Sequence, residues 1–257
     1  PQPVRPAQTL VHVHADPGAI GTHFASDLSV ACPPGALMSA LGSPAGPLPE
    51  RSAWLAALKA ERQRIAAVRS FEVTDGVPFE LVVDLVGRHL TNDAVVTLDA
   101  GNFAAPAYRV IDFRPPQRLL APISGSMGYG IPAAVAASLR DPARQVVCFV
   151  GDGGLLMTGS ELAVAKEHGL PLKVFVAENG IYGSIYLDQA KTYPGRSVGT
   201  TFTNPDLELL GRAYGFGVTR VNRTDELPAA LAALQAPGPQ LIVVKSSVEA
   251  IMPRADS

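Results

Sequence analysis

The chain has 257 residues, of which 47% are hydrophobic and 17% charged, and its formal net charge is −2. This composition is typical of a globular protein, and Lys and Arg form no long run that would favour nucleic acid as a partner. No apolar run approaches the roughly 20 residues that span a bilayer, so we expect no membrane association. Two cysteines, Cys32 and Cys148, are too few for a disulfide framework, which favours a reducing, cytoplasmic compartment. Because the chain begins at Pro1 rather than Met, a fragment, a processed product and a natural subunit all stay open.

The N-terminal part of the chain gives few structural signals. Residues 9–14, TLVHVH, predict a strand, and a turn at Asp16-Pro17-Gly18 follows. The Pro- and Gly-rich stretch 42–49 is typical of a linker. Residues 52–68, rich in Ala, Leu and Arg, predict a helix.

From residue 71 onward, helix and strand signals alternate. Helices are predicted at 78–90, 132–139, 158–168, 207–214 and 227–234, and strands at 94–98, 146–150, 172–177, 218–221 and 241–244. The third helix is predicted to begin at Thr158, because Thr158 and Glu161 match a capping box. Apolar strands that alternate with helices indicate an α/β fold, a doubly wound parallel sheet with helices on both faces.

Small and polar residues follow three of the predicted strands, at the end where such sheets bind ligands. The turns read Asp99-Ala-Gly-Asn102, Gly151-Asp-Gly-Gly154 and Glu178-Asn-Gly180. A further loop, Ser124-Gly-Ser-Met-Gly-Tyr-Gly130, leads into the helix at 132–139. Each alone is more often an ordinary turn, since Gly, Asp and Asn are common turn residues. Their convergence on one edge of the sheet predicts a ligand site.

The turn GDGG is compatible with two kinds of site. The dinucleotide site of an NAD(P)-dependent oxidoreductase would place a third glycine at Leu156, and its helix would open directly from the turn. The charge of Asp152 would also repel the phosphates of a dinucleotide. A metal ion between carboxylate and phosphates removes that repulsion, because Mg²⁺ binds one or two protein oxygens together with phosphate oxygens. Asn179, at the tip of the next strand, supplies a second oxygen of this kind.

Three segments resemble successive blocks of the C-terminal, pyrophosphate-binding domain of thiamine-diphosphate-dependent enzymes of the acetolactate-synthase-like family. They are SGSMGYGIPAAVAASL, VVCFVGDGGLLMTGSELAVAKEHGLPLKVFV and ENGIYGSI. The stretch TLVHVHADPGAIGTHFASDL is similar to the last strand and turn of that family's middle domain. The resemblance implies the tail of a preceding α/β domain at 1–43, a linker and connecting helix at 44–70, and the thiamine-diphosphate domain at 71–257.

The resemblance implies thiamine diphosphate and Mg²⁺ as cofactors. Asp152 and Asn179 would bind the metal through their side chains, and Ile181 through its carbonyl oxygen. Met127 would lie beneath the bent cofactor, and Ser184 and Ile185 would face the substrate. The implied cofactor-binding residues are Gly101, Asn102, Ser126, Met127, Gly151, Asp152, Gly153, Gly154, Asn179, Ile181, Tyr182 and Gly183.

Two positions bear on the kind of reaction and on the metal site. The family commonly has Asn where this chain has Glu178, and the residue either adds charge near the metal or points away from it. Simple pyruvate-decarboxylase-type members have an acidic residue where this chain has Ile185. That difference favours a carboligase or an acyl-transferring member.

The resemblance implies decarboxylation and carboligation of a 2-oxo acid, and it also implies an incomplete site. In the family, a glutamate that assists cofactor activation lies in a separate pyrimidine-binding domain, usually on a neighbouring subunit. Nothing in this chain matches that domain, so no catalytic residue is assigned here. The expected partners are a small 2-oxo acid and a chain or segment with the pyrimidine-binding domain, in a dimer or tetramer. If the chain is not part of an enzyme, the alternative is a subunit that is kept for assembly and has no catalytic role.

Three other groups of residues have a functional and an ordinary interpretation. Asp99 could be catalytic, but a turn-stabilising role is favoured. A metal-binding trio is conceivable for three histidines, although ordinary strand and turn residues are favoured: His12, His14 and His23. Three arginines could meet a substrate carboxylate, although a solvated face is favoured: Arg109, Arg114 and Arg118.

Overall fold

Six parallel strands form one sheet in the computed structural model, which describes residues 4–43, 46, 50–68 and 72–251. The chain divides into two compact units, Pro1–Leu58 and Lys59–Ser257, and this sheet belongs to the second. Much of the predicted linker at 42–49 lies outside the described residues. No helix within the described ranges is long and apolar enough to cross a membrane.

The smaller unit contains a pair of parallel strands. β1 (Val11–His14) pairs with β2 (Leu28–Ala31). α1 (Pro34–Leu41) follows, and proline occupies its first turn. α2 (Ser52–Ala66) begins in this unit. The strand predicted at 9–14 and the helix predicted at 52–68 are confirmed, whereas β2 and α1 lack a clear sequence signal.

The larger unit alternates strands and helices along the chain. Its strands are β3 (Val95–Leu98), β4 (Arg118–Leu120), β5 (Val146–Gly151), β6 (Lys173–Glu178), β7 (Gly217–Val221) and β8 (Gln240–Lys245). Its helices are α3 (Phe79–Gly87), α4 (Ala105–Val110), α5 (Gly130–Arg140), α6 (Asp152–Thr158), α7 (Leu162–Glu167), α8 (Gly183–Thr192), α9 (Leu207–Ala213) and α10 (Leu227–Gln235). The predicted alternation is confirmed, although α6 and α7 take the place of the single helix predicted at 158–168, and β4, α4 and α8 are additional elements.

Apolar side chains are buried on both faces of the sheet. Along β5, Val147 and Phe149 belong to one apolar cluster, whereas Cys148 and Val150 belong to the other. Helices α3, α4 and α10 contribute to the first cluster, and α5, α6, α7 and α9 to the second. Successive residues of a strand point to opposite faces, so a continuously apolar strand is buried on both. The predicted doubly wound parallel sheet is therefore confirmed.

The strand order β4-β3-β5-β6-β8-β7 changes direction between β3 and β5. After β3 the chain forms β4 on one side of it, and then crosses to form β5 on the other side. The helices that follow these strands contribute to opposite apolar clusters, α4 to the first and α6 to the second. The ends of β3 and β5 therefore flank a crevice, which is where doubly wound sheets bind ligands.

The helix after β5 begins at Asp152, so the predicted start at Thr158 is wrong. Thr158 precedes a single 3-10 turn, Gly159–Glu161, without a side-chain capping bond, and its Oγ1 instead donates to the carbonyl oxygen of Gly154 at 3.5 Å. Glycine is a weak helix former, so the sequence Gly-Asp-Gly-Gly gives no signal that a helix starts there. Tertiary packing requires glycine at this point, because a Cβ on Gly154 would lie 2.8 Å from Asp99 Oδ2.

Candidate cofactor site

A cavity of about 230 Å³ lies beyond the carboxyl ends of β3, β5 and β6. Its walls come from the turns after these strands and from the loop before α5, as the sequence predicts. Ser126 is absent from the lining, and its hydroxyl lies 2.8 Å from that of Ser124. The other predicted cofactor-binding residues line the cavity: Gly101, Asn102, Met127, Gly151, Asp152, Gly153, Gly154, Asn179, Ile181, Tyr182 and Gly183.

Asp152 lies at the start of α6 and is buried, with 2% of its surface exposed. Its Oδ1 accepts a hydrogen bond from the Gly153 amide at 2.9 Å. Its Oδ2 accepts bonds from the amides of Asn179 and Gly180, at 2.8 and 2.6 Å. Asn204 Nδ2 donates to the same oxygen at 2.8 Å. These charge-assisted bonds offset the cost of burying a carboxylate and join the tips of β5 and β6.

The tip of β6 carries the other two predicted metal ligands. The Asn179 side chain donates from Nδ2 to Ser246 Oγ at 3.3 Å, and its Oδ1 accepts from the Ile181 amide at 3.2 Å. Between these residues, Gly180 has φ +67°, and a Cβ there would lie 2.9 Å from the carbonyl oxygen of Phe202. The turn therefore needs glycine, which brings Asn179 and Ile181 together in the cavity wall.

The residues of the cavity fit a diphosphate and a divalent cation. A carboxylate, a side-chain amide and a backbone carbonyl are the hard oxygen donors that Mg²⁺ prefers, and Asp152, Asn179 and Ile181 provide one of each. Asp152 Oδ1 accepts a single bond from the described residues, which leaves acceptor capacity for a cation. A Cβ on Gly153 would lie 2.7 Å from the Tyr182 ring and 3.2 Å from Met127 Cε, so glycine keeps this space open.

Asp99 supports the loop that carries Met127. The carboxylate is buried, with 1% of the residue exposed. It accepts bonds from the amides of Ala100 at 2.6 Å, Gly128 at 2.9 Å and Gly130 at 3.3 Å. Because its described partners are backbone amides, the structure supports the turn-stabilising role and not the catalytic one.

Two charged residues have orientations that the sequence leaves open or predicts wrongly. Glu178 does not line the cavity, and its Oε2 lies 2.5 Å from Nη1 of Arg220 on β7. Of its two possible orientations, the carboxylate therefore adopts the one away from the cavity. Arg109 pairs with the buried Glu80 and donates to backbone carbonyls at the end of α2. The favoured solvated face is wrong for Arg109, because its guanidinium satisfies a buried carboxylate.

The remaining sequence candidates lie outside the cavity. Arg114 and Arg118 are exposed, as the sequence analysis favours. Within the described residues, no group of three or more His, Cys, Asp or Glu side chains could hold a metal ion, which argues against the histidine trio. His14 instead forms a local bond, with Nδ1 accepting from the Asp16 amide at 3.0 Å.

At the mouth of the cavity, Ser184 Oγ donates to Asn102 Oδ1 at 2.6 Å. This bond connects the start of α8 to the turn after β3. Ile185 also lines the cavity and is 53% exposed. The two residues predicted to face a substrate therefore both line this cavity.

Asn204 and Ser246 contact predicted metal ligands but are not identified from the sequence. Asn204 belongs to the motif Asn-Pro-Asp, in which Asp206 caps α9 by accepting from the Leu209 amide at 2.8 Å. That motif predicts a turn and a helix start, with no indication of a contact to Asp152. Ser246 follows β8 as an ordinary polar residue. Only the tertiary fold brings them to the site.

A doubly wound domain with a glycine-lined cavity and hard oxygen donors at its switch point belongs to the class of proteins that bind diphosphate-containing cofactors. Residues 99–244 match the family described as thiamine pyrophosphate enzyme, C-terminal TPP binding domain. This match covers more than half of the chain, so the chain belongs to that family. The resemblance seen in the sequence is confirmed, and thiamine diphosphate, with Mg²⁺ as its usual metal partner, is the cofactor that the family implies.

Curated relatives agree with this assignment. The chain is 31% identical to the acetolactate synthase large subunit of Parasynechococcus marenigrum over 93% of its own length and 39% of the relative's. It is 37% identical to a probable 2-ketoarginine decarboxylase of Pseudomonas aeruginosa over 58% of the chain and 27% of the relative. It is 28% identical to pyruvate oxidase of Lactiplantibacillus plantarum over 85% of the chain and 37% of the relative. The chain thus spans about two fifths or less of these relatives.

The family match also bears on the nicotinamide alternative. One objection to a dinucleotide site was wrong, since α6 does open directly from the glycine turn. The other objections remain, because position 156 is leucine and the carboxylate of Asp152 is buried within the turn. The family match, together with these two features, favours thiamine diphosphate over a dinucleotide.

Proposed function

We propose that this chain supplies the diphosphate- and metal-binding half of a thiamine-diphosphate- and Mg²⁺-dependent enzyme that decarboxylates or carboligates a 2-oxo acid. The observation that carries the proposal is the set of oxygen donors from Asp152, Asn179 and Ile181 in one glycine-lined cavity. The names of the relatives support it, since they include synthases, a decarboxylase and an oxidase. Ile185 at the mouth favours a carboligase or acyl-transferring reaction.

The role of the chain is to bind and orient the cofactor. Thiamine diphosphate supplies the thiazolium that takes up electrons as CO₂ leaves a 2-oxo acid. Asp152, Asn179 and Ile181 would hold Mg²⁺, and Gly153 would let the diphosphate approach the backbone. Met127, on the loop that Asp99 fixes, would support the rings of the cofactor.

The activating glutamate must come from elsewhere in this proposal. We place the tail of a preceding domain at 1–43, the linker and helix at 44–70, and the cofactor domain at 71–257. A chain or segment with the pyrimidine-binding domain would complete each site, in a dimer or tetramer. The pair of free cysteines supports a cytoplasmic location.

Calorimetric titration of thiamine diphosphate tests the proposal, first with Mg²⁺ and then with EDTA. We expect saturable binding that needs the metal and that Asp152→Ala abolishes. Asp141→Ala is the matched control, because Asp141 is exposed at the end of α5. Absence of binding in a preparation that contains the pyrimidine-binding domain would exclude the thiamine-diphosphate site.

Activity measurements separate the alternatives. The chain alone is expected to show no turnover of 2-oxo acids, and turnover is expected once the pyrimidine-binding domain is added. Decarboxylation by the chain alone would contradict the half-site proposal. Cofactor binding without turnover in the complete complex would favour an assembly subunit. Binding of NADH without a metal would favour the oxidoreductase.

A further inference from the structure

The two oxygens of Asp152 differ in how many hydrogen bonds they accept. Oδ2 accepts from the Asn179 amide, the Gly180 amide and Asn204 Nδ2, at 2.8, 2.6 and 2.8 Å. Oδ1 accepts from the Gly153 amide at 2.9 Å. A carboxylate oxygen has about two lone-pair sites, so Oδ2 is saturated and Oδ1 is not. Oδ1 is therefore the oxygen that can still bind a cation.

Asn204 is the side chain that completes this asymmetry. Its amide nitrogen faces the carboxylate, as charge requires. Its Oδ1 is buried and has no hydrogen-bond partner among the described residues. The residue therefore leaves one polar atom unsatisfied while it donates to Asp152, which indicates that the contact with the carboxylate is its main role.

The position of Asn204 is fixed from both sides. On one side, Thr201 forms a bridge with Ile181, and the Phe202 amide donates to the Gly180 carbonyl oxygen at 2.9 Å. On the other side, Asp206 caps α9. The backbone on both sides of Asn204 is thus held by contacts within the fold. This preorganisation is what a group that orients a metal ligand needs.

We propose that Asn204 is a positioning residue of the metal site, which reserves Asp152 Oδ1 for the cation by occupying Oδ2. This inference rests on the proposed function. Ser246 has the corresponding relation to the other side-chain ligand: it accepts from Asn179 Nδ2 at 3.3 Å and so fixes which end of that amide can face a metal. Asn204 and Ser246 both lie later in the sequence than Asp152 and Asn179, the metal ligands that they contact.

Metal titrations of the full chain with saturating thiamine diphosphate test the inference. Asn204→Leu keeps the size of the side chain and removes the donor, and Asn204→Ser is a second variant if the first does not fold. Asn92→Leu is the control, because Asn92 is exposed before β3. Mg²⁺ demands near-ideal octahedral geometry, whereas Ca²⁺ accepts flexible and bidentate carboxylates. We therefore expect an affinity loss for Mg²⁺ of about 10- to 100-fold, with a clearly smaller loss for Ca²⁺.

The possible results are distinguishable. A changed ratio of Mg²⁺ to Ca²⁺ affinity, with a thermal transition of the metal-free protein that matches the control, supports the inference. Equal Mg²⁺ affinity in the wild type and the folded variant overturns the inference alone. A parallel loss for both metals together with a lowered transition temperature also overturns it, because that pattern reports a structural role. A wild type that binds neither metal nor cofactor, even in a preparation that contains the pyrimidine-binding domain, overturns the proposed function.

Discussion

Replacement of Asp99 by Asn separates a structural role of this residue from a catalytic one. The carboxylate is almost completely buried and accepts only backbone amide bonds from the described residues. Gly128 approaches both of its oxygens, at 2.9 and 3.0 Å, and Gly130 approaches Oδ2 at 3.3 Å. These bonds hold the loop that presents Met127 to the cavity.

The expected loss of stability follows from the bonds that the amide cannot make. An asparagine in the same position keeps one oxygen, while its NH₂ group faces backbone N–H donors at the other. A hydrogen bond to a charged group contributes about 1.5–3 kcal/mol, and a buried donor left unsatisfied costs about 1–3 kcal/mol. Since the Gly130 contact is long, we expect the free energy of unfolding to fall by about 2–4 kcal/mol.

Urea denaturation followed by far-ultraviolet circular dichroism measures this loss. Asp93→Asn is the control, since Asp93 is exposed and accepts from Thr91 Oγ1 in a turn. A surface change of this kind is expected to stay within about 0.5 kcal/mol. If Asp99→Asn unfolded like the control while the complete enzyme lost turnover, the structural role would be refuted and a catalytic one favoured.

Three further predictions concern single side chains. Gly153→Ala places a Cβ within 2.7 Å of Tyr182, so we expect about 1–3 kcal/mol of destabilisation and weaker cofactor binding in thermal unfolding assays; Gly35→Ala, with open space around it, is the neutral control. Burial alone would raise the pKa of Asp75, but hydrogen bonds from Ser247 and from two backbone amides outweigh it and lower that pKa. Its stabilising effect is therefore present above the unfolded value of about 4 and is lost as pH falls through the lowered pKa, so Asp75→Asn should flatten the acid side of a plot of urea midpoint against pH; an unchanged slope would contradict this. Glu178→Gln should leave Mg²⁺ affinity unchanged in calorimetry, and a clear loss would place that carboxylate at the metal.

Local signals in the sequence are sufficient to predict five of the six strands of the sheet and the turns of the cavity. Strands such as β5 and β6 are continuous runs of apolar residues because both faces of the sheet are covered by helices. Such runs can be recognised from the sequence alone. The turns at their ends contain glycine, aspartate and asparagine, so convergence on one edge follows from parallel topology. The start of α6 is not predictable in this way, since glycines with low helix propensity begin that helix for reasons of packing.

Charged side chains whose partners are distant in sequence are not predictable from local patterns. Glu178 stands beside Asn179 in sequence, yet it pairs across the sheet with Arg220. Arg109 reads as a surface residue, yet it satisfies the buried Glu80. In each case the partner is distant in sequence, and neither hydrophobic periodicity nor the residues of a turn can predict such a contact.

The residues that donate hydrogen bonds to Asp152 help to decide whether the metal site is functional or a relic. A chain kept only for assembly needs its sheet and surface, but it has no need for a buried carboxylate in this turn. Burial of Asp152 is costly unless every bond is made, and its bonds come from three separate segments, including Asn204 with its own oxygen unsatisfied. Such an arrangement is expensive for stability alone, because an apolar replacement of similar shape would avoid the cost. It is explained if Asp152 Oδ1 binds a cation, and this favours a functional metal site over a relic.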